Sequence, residues 1–384
     1  MKPSARLLAG FSGLLLVYAL INWFIGWNGF LFLSHLIPTV PETVFWLVFA
    51  VVAFGYLAGR AAFLGAPGRL LKVVGSYYFA VLEFAVLLLP LADLSAWLLR
   101  RAGYPPEIYI GMTGYAALGL LIVLLVRGSR NAWNPVVRSY RAEVAKRAGG
   151  RDRLRIAIAS DIHLGNVVGN RHLRKLVRIV ERMKPDLILL PGDVIDDSIE
   201  PFVRNAMGET LKDLRAPLGV YAVLGNHEYY GGHAEEYVRR MAEIGIRVLR
   251  DELVIVNGEF VIAGRKDKTA ERMEPEGRLP VGLLLGQADK RLPIILMDHQ
   301  PYGFDAAADA GADILLCGHT HRGQFAPNHW ITGRLFELDW GYMRKSAMHV
   351  VVSSGFGTWG PPIRLASRSE VIELTVEFTG ATGE

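Results

Sequence analysis

Apolar positions fall into two regimes along the chain. Up to about residue 126 they form near-continuous runs, and from about residue 151 they form short clusters separated by polar, Gly- and Pro-bearing stretches. Four runs, at 7–25, 44–64, 73–91 and 108–126, each approach the ~20 residues that a helix needs to cross a bilayer. The first is longer than the apolar stretch of a secretory leader, no small-x-small cleavage site follows it, and three more runs come after. It is expected to remain as an anchor. The pattern predicts an N-terminal four-helix transmembrane bundle over residues 1–126. Between the regimes, 127–150 places Val136, Val137, Tyr140 and Val144 at helical spacing among Arg138, Arg141, Lys146 and Arg147. That reads as a basic juxtamembrane helix and linker, opening at Pro135 and ending in the Gly149-Gly150 joint, able to lie on anionic headgroups. Ordinary positive charge flanking a membrane span is the blander reading.

In the remainder, 151–384, clusters at 154–160, 187–190, 219–224, 293–297 and 312–317 read as buried strands, with later strands at 350–353 and 371–376 and several short ones between 247 and 265. Helical spacing recurs over 171–184, where Leu173, Leu176, Val177 and Val180 share a face and Pro185 ends the run. Further helices are predicted within 201–214, 233–244 and 302–310. Strands alternating with helices predict an α/β domain.

Charge changes the picture in one respect. The sequence pI of 9.2 and mean hydropathy of +0.26 describe no single part of the chain. Residues 1–153 hold 15 Lys and Arg against 6 Asp and Glu, a net of +9, and 154–384 hold 27 against 31, a net of −4. A net-negative domain lacks the footprint of a general nucleic-acid binder, so no nucleic-acid partner is expected. The basic excess orients the bundle instead. Lys2, Arg6, Arg60, Arg69, Lys72, Arg127, Arg130, Arg138, Arg141, Lys146 and Arg147 fall on one side, and Arg100 and Arg101 on the other. Eleven against two places both termini and the C-terminal domain in the cytoplasm, in a multi-pass protein of the cell (inner) membrane. Glu83 lies near the middle of the third run, a costly place for a carboxylate. With no second carboxylate at matching depth, a hydrogen bond inside the bundle is the simpler reading. Cys317 is the only cysteine, so no disulfide within the chain forms.

Candidate chemistry sits at the strand ends. Five predicted strands run into polar clusters: Asp161/His163, Asp193, Asn226/His227, His299 and His319/His321. Each residue alone is an ordinary turn, cap or satisfied polar side chain. Five clusters at successive strand ends of an α/β sheet converge on one crevice and point to a polynuclear metal site. Asp161, His163, Asp193, Asn226, His299, His319 and His321 make seven donors, too many for one ion of four to six ligands. A carboxylate such as Asp193 can bridge two. Divalent ions ~3.5–4 Å apart form the clamp used for in-line displacement at phosphorus. Mixed nitrogen and oxygen donors without thiolate suit Mn, Fe or Zn.

Taken in order, Asp161-x-His163, Gly192-Asp193-x-x-Asp196, Gly225-Asn226-His227-Glu228, His299 and Gly318-His319-x-His321 resemble the motif series of the calcineurin-like metallophosphoesterases. The likeness covers about residues 154–376, and its motif series is complete. It implies a two-sheet β-sandwich core flanked by helices, and a dinuclear-metal hydrolase that attacks phosphorus with metal-activated water. Carried over, one ion would take Asp161, His163, Asp193 and His321, and the other Asp193, Asn226, His299 and His319. His227 matches the family's non-ligand histidine, which meets the phosphate or assists the leaving group, and Asp196 a residue behind the ligands.

The glycine- and aromatic-rich stretch 354–364, with Arg322 to Phe325, resembles the membrane-anchored branch of that family. Arg322 and Arg364 are candidate phosphate contacts. Phe356 and Trp359 would meet an apolar group or the bilayer, or else form a packed rim over the sheet edge. The favoured substrate is a phosphoester or pyrophosphate bond in a lipid-linked molecule at the cytoplasmic face. A soluble phosphodiester such as a cyclic nucleotide, or a non-enzymatic membrane sensor, is the alternative.

Overall fold

The structure is a computed structural model in which residues 5–59 and 64–380 are described, and it divides into two units, Met1–Arg127 and Gly128–Glu384. Lys2 and Arg60, counted above for orientation, and the end of the second apolar run lie outside the described residues. The first unit contains α1 (Ala5–Leu36), α2 (Glu42–Ala58), α3 (Gly65–Arg101) and most of α4 (Pro106–Trp133). Three stretches, Ser12–Leu36, Gly65–Arg101 and Pro106–Trp133, are long and apolar enough to cross a membrane. The 17 residues of α2 span only about 26 Å at 1.5 Å per residue, the low end of what a bilayer core requires. Its Gly55 and Gly59 let it approach α3 closely, because a side chain on Gly59 would overlap the α3 backbone at Gly68 and Lys72. Large apolar side chains such as Leu14, Leu47, Leu91 and Val123 point outward, whereas polar groups turn in. Tyr78 donates to Asn22 Oδ1 at 2.6 Å, and Tyr18 to the Ala53 carbonyl at 2.5 Å. α3 continues through Pro90 for 37 residues, well beyond the expected 73–91, and Glu83 is half-buried along it.

Two six-stranded sheets form the second unit. Sheet one is built from β1 (Val136–Val144), β2 (Arg153–Ile158), β3 (Leu187–Pro191), β4 (Val220–Val223) and β5 (Ile246–Leu249). Sheet two takes β6 (Glu252–Val256), β7 (Phe260–Gly264), β8 (Ile294–Met297), β9 (Ile314–Cys317), β10 (Gly341–Lys345) and β11 (Met348–Val352); β12 (Glu370–Phe378) returns to sheet one. The orders are β1-β12-β2-β3-β4-β5 and β10-β11-β9-β8-β7-β6, with β2 to β5 parallel and β7, β8, β9 and β11 parallel.

Strand alternation explains the layering. Ile156, Ile158, Leu187 and Leu189 of sheet one face Ile262, Ile295, Met297, Ile314 and Leu316 of sheet two in a common core. Their neighbours Ala157, Ile188 and Leu190 point the other way, onto α5 (Asn170–Met183) through Leu173, Leu176, Val177 and Val180. The outer face of sheet two is covered by Leu284, Leu285 and Phe304 from short helices. Parallel strands buried on both faces read as unbroken apolar runs, which is why β3, β8 and β9 are visible in the sequence.

One expectation is overturned. Residues Val136–Val144 form no juxtamembrane helix but the edge strand β1, parallel to β12 from Val136 beside Glu370 to Val144 beside Phe378. Val136, Arg138, Tyr140, Ala142 and Val144 turn inward in strict alternation, and β-branched and aromatic residues favour that extended state. Arg138 is spent on Glu370, its Nε 2.9 Å from the carboxylate. The supposed linker is therefore part of the second unit, which begins near Gly128 rather than Arg151.

Candidate metal centre

All seven candidate donors follow the carboxyl ends of parallel strands, β2, β3 and β4 of one sheet and β8 and β9 of the other, with Asn226 opening a short helix (Asn226–Tyr230) and His321 a 3-10 turn. At these turns the backbone leaves ordinary geometry. Asp161, His163, Asp193, His319 and His321 all have positive φ, between 49° and 73°. Five of the thirteen non-glycine residues in that region are thus candidate ligands, so the strain is concentrated where side chains must be aimed off the sheet edge. Glycines make the close approach possible. A Cβ on Gly318 would overlap Asp161 Oδ2, and one on Gly225 would overlap Asp193 Oδ1.

Two groups of donors result. Asp161, His163 and His321 present ligand atoms mutually within 4.8 Å, and so do Asp193, His299 and His319. His163 Nε2 lies 2.9 Å from His321 Nε2, which in turn is 3.5 Å from Asp161 Oδ1. In the second group, His299 Nε2 is 3.0 Å from Asp193 Oδ2 and 3.2 Å from Asn226 Oδ1, which lies 2.8 Å from His319 Nδ1. Asp193 joins the groups: its Oδ2 is also 3.9 Å from His163 Nε2, while its Oδ1 accepts the His227 N–H at 2.9 Å.

Electrostatics suits the donors to cations. Burial pushes His163 and His321 well below the usual histidine range, helped by the positive groups His227 and Arg364 respectively. Burial likewise takes His319 down to about 4, with His299 adding to it. These rings are neutral near pH 7 and keep lone pairs for an ion. Burial raises the Asp161 carboxyl to about 6, although His299 and hydrogen bonds from Ser160 and His319 oppose it. His299 rises despite its burial, because Asp193 faces it. Neutral imidazoles and carboxylates converging in a buried pocket fit divalent ions, which would displace the shared protons.

Behind the ligands, Glu228 is the scaffold. Its carboxylate accepts the N–H groups of Asp193 at 3.1 Å, Ile195 at 3.0 Å and Gly225 at 2.7 Å, tying together the turns after β3 and β4. Its place in the Gly-Asn-His-Glu motif is the only sequence signal of this. His227 stacks edge-on against His163 at 4.7 Å. Although burial opposes it, the charges of Asp193, Asp197 and Asp196 raise His227 to about 9. Its nearest carboxylate is Asp197, 2.7 Å from Nδ1, with Asp196 at 3.7 Å. The motif points to Asp196 alone; a φ of 50° at Asp197 turns the next residue inward as well.

The two arginines part company. Arg322 is partly exposed beside His321, with its guanidinium 4.3 Å from the Trp340 ring and no salt-bridge partner among the described residues. Arg364, expected to meet substrate, is fully buried with every nitrogen hydrogen-bonded to protein, so that expectation is corrected. Phe356 is buried too, stacked on His172 at 4.4 Å, and forms packing rather than a membrane contact. Trp359 is exposed.

Paired sheets whose strand ends gather histidines, carboxylates and an asparagine define a metal-dependent phosphoesterase, a hydrolase. Residues 154–323 match the calcineurin-like phosphoesterase family model. A metallophosphoesterase of Aquifex aeolicus (strain VF5) is 35% identical over 64% of this chain and 92% of its own. The transmembrane protein with metallophosphoesterase domain of Bos taurus is 29% identical over 91% of this chain and 79% of its own. Among solved structures, TT1561 of Thermus thermophilus is similar with a TM-score of 0.37 and 18% identity, over 54% of this chain and 90% of that one. The chain belongs to the calcineurin-like metallophosphoesterases.

Proposed function

We propose that this protein hydrolyses a phosphoester or pyrophosphate bond in a lipid-linked substrate at the cytoplasmic face of the membrane, using two divalent ions, with Mn, Fe or Zn the expected metals. One ion would be held by Asp161, His163, Asp193 and His321, the other by Asp193, Asn226, His299 and His319. The observation that carries the two-ion reading is the place of Asp193 between the groups, its Oδ2 3.0 Å from His299 and 3.9 Å from His163. Ions bound there supply Lewis acidity and lower the pKa of water.

The chain's own residues supply the rest. Held up at about 9, His227 is protonated at neutral pH and donates to the departing oxygen or to a phosphoryl oxygen. Asp197 and Asp196 stabilise that charged form. Arg322, unneutralised next to His321, pairs with the phosphate.

Two observations support an amphiphilic substrate and a membrane setting. Three helices are long and apolar enough to cross a bilayer, and α2 would add a fourth span. In the catalytic unit, the helix His329–Leu335 follows the turn that carries His321 and exposes Trp330, Ile331 and Leu335, with Trp359 exposed nearby in sequence to Arg364. The flanking-charge imbalance supports cytoplasmic termini. Activity of the full-length protein on detergent-dispersed phospholipid or diphosphate-linked glycolipid against cyclic nucleotides tests the reading. Preference for the soluble diester would favour the alternative, and binding without turnover at full metal loading a sensor.

A further inference from the structure

Arg322 stands in a conformation that its own side chain disfavours. With φ 51° and ψ 43° it occupies the left-handed region, which suits glycine, in the 3-10 turn that begins at His321. Its N–H donates to Thr320 Oγ1 at 3.1 Å, and the same hydroxyl donates to the Asp339 carbonyl at 2.5 Å. Thr320, between two candidate ligands, therefore ties the segment 339–340 to the turn that carries Arg322. Thr332 Oγ1 also donates to Asp339 Oδ2, at 2.6 Å.

This segment brings the half-buried Trp340 indole against Arg322, with the guanidinium carbon 4.3 Å from the ring centroid. The indole is itself held. Its Nε1–H donates to the Glu370 carboxylate, 3.1 Å and 3.2 Å from the two oxygens. Glu370 is buried and also accepts the Ser354 N–H at 2.8 Å and Arg138 Nε at 2.9 Å. Arg138, from the edge strand β1, thus neutralises this carboxylate, and its own guanidinium carbon lies 4.7 Å from the same indole. Arg322 is left with an aromatic neighbour and no salt bridge among the described residues. A ring face attracts a cation without binding its N–H donors as a carboxylate would, so those donors stay available to a ligand. Ordering so long a side chain in advance also lowers the cost of binding.

We propose that Trp340 is a positioning residue: its ring holds the Arg322 guanidinium beside His321 before substrate arrives, and Arg138, by pairing with Glu370, keeps that guanidinium free for a phosphate oxygen. The proposal rests on the reading that Arg322 pairs with the phosphate. It also gives the edge strand β1 a part in substrate binding.

The test combines KM and kcat for bis(p-nitrophenyl) phosphate with calorimetric titration by inorganic phosphate, both on Mn2+-restored full-length protein. Trp340→Leu is expected to raise KM and the phosphate Kd about fivefold, the size of one cation–π contact, with kcat changed less than KM. Trp340→Phe keeps a weaker ring face and should raise both only about twofold. In an Arg322→Ala background neither substitution should add to the effect, because no guanidinium remains to be held. The same effect of Trp340→Leu with and without Arg322 would overturn the proposal, placing Trp340 against the substrate or in packing alone. Wild-type KM and Kd in Trp340→Leu, or equal effects of Leu and Phe, would also overturn it. If Trp340→Leu does not fold, Trp340→Phe decides with and without Arg322, and unchanged values or an effect independent of Arg322 would overturn it. Unchanged KM and Kd in Arg322→Ala alone would instead refute the phosphate reading of Arg322, and this role for Trp340 with it.

Discussion

His172 offers a clean test of the catalytic unit's packing, because it lies apart from the candidate ligands. It projects from α5 into a slot where it stacks on Phe356 at 4.4 Å and meets Trp133 edge-on at 5.0 Å, with its Nδ1 buried and unpartnered. Burial lowers its pKa from 6.5 to about 4; the Phe356 carbonyl, 3.3 Å from Nε2, opposes this, and Lys175 and Arg364 add to it. Between those two values the unfolded chain binds a proton that the folded chain does not. Stability is thus fully present above 6.5 and falls as the pH drops through the window. At pH 4.5 this linkage costs the folded state about 2.5 kcal/mol relative to neutral pH. His172→Phe keeps a ring in the slot and removes the titration. Cys317, buried and the only thiol, gives an assay confined to this unit: its labelling in urea by a disulfide reagent that works in acid reports catalytic-unit unfolding. Wild type should lose about 2.5 kcal/mol more than His172→Phe between about pH 7.5 and 4.5. Parallel losses, or a steeper loss in the variant, would refute the linkage.

Other consequences follow from the site and the chain's polarity. His227→Asn should slow esters with poor leaving groups far more than activated aryl esters, because the ring held by Asp197 and Asp196 is the proton donor; equal slowing of both esters would contradict a donor role. Arg322→Ala should raise KM for a phospholipid substrate about tenfold with kcat little changed, the signature of lost ground-state binding; a selective fall in kcat would place Arg322 in the chemical step instead. A reporter fused after Glu384 should be active only if it works in the cytoplasm. Activity restricted to a reporter that needs export would reverse the orientation.

The parts of the structure that are legible in the sequence are those where one signal has one meaning. A buried parallel strand can only be an apolar run, and a run that ends in Asp193 or His319 cannot easily hide. β1 escapes the sequence reading because Val136, Val137, Tyr140 and Val144 fit a helical stripe, while Val136, Tyr140 and Val144 also fit every second position of a strand. The choice is made by β12, more than 200 residues away, and no local pattern contains it. Arg322 and Arg364 look equivalent in the sequence because both are arginines in glycine-rich loops. Their difference is tertiary: the return of 354–369 across Asp161 and His321 buries one and leaves the other partly exposed. Asp197 is hidden beside Asp196 because a single left-handed residue decides which carboxylate reaches His227.

The central claim is that donors from both sheets, joined by Asp193, make a two-ion phosphoester hydrolase. It is tested most directly by stripping the full-length protein with chelator, restoring Mn2+, and following hydrolysis of bis(p-nitrophenyl) phosphate by wild type and Asp193→Ala while counting bound ions. Activity should return to wild type alone, and the variant, folded by its buried Cys317, should stay at the chelated background with weakened binding of both ions. Near-wild-type turnover by Asp193→Ala, or activity in wild type that needs no metal, would contradict the claim.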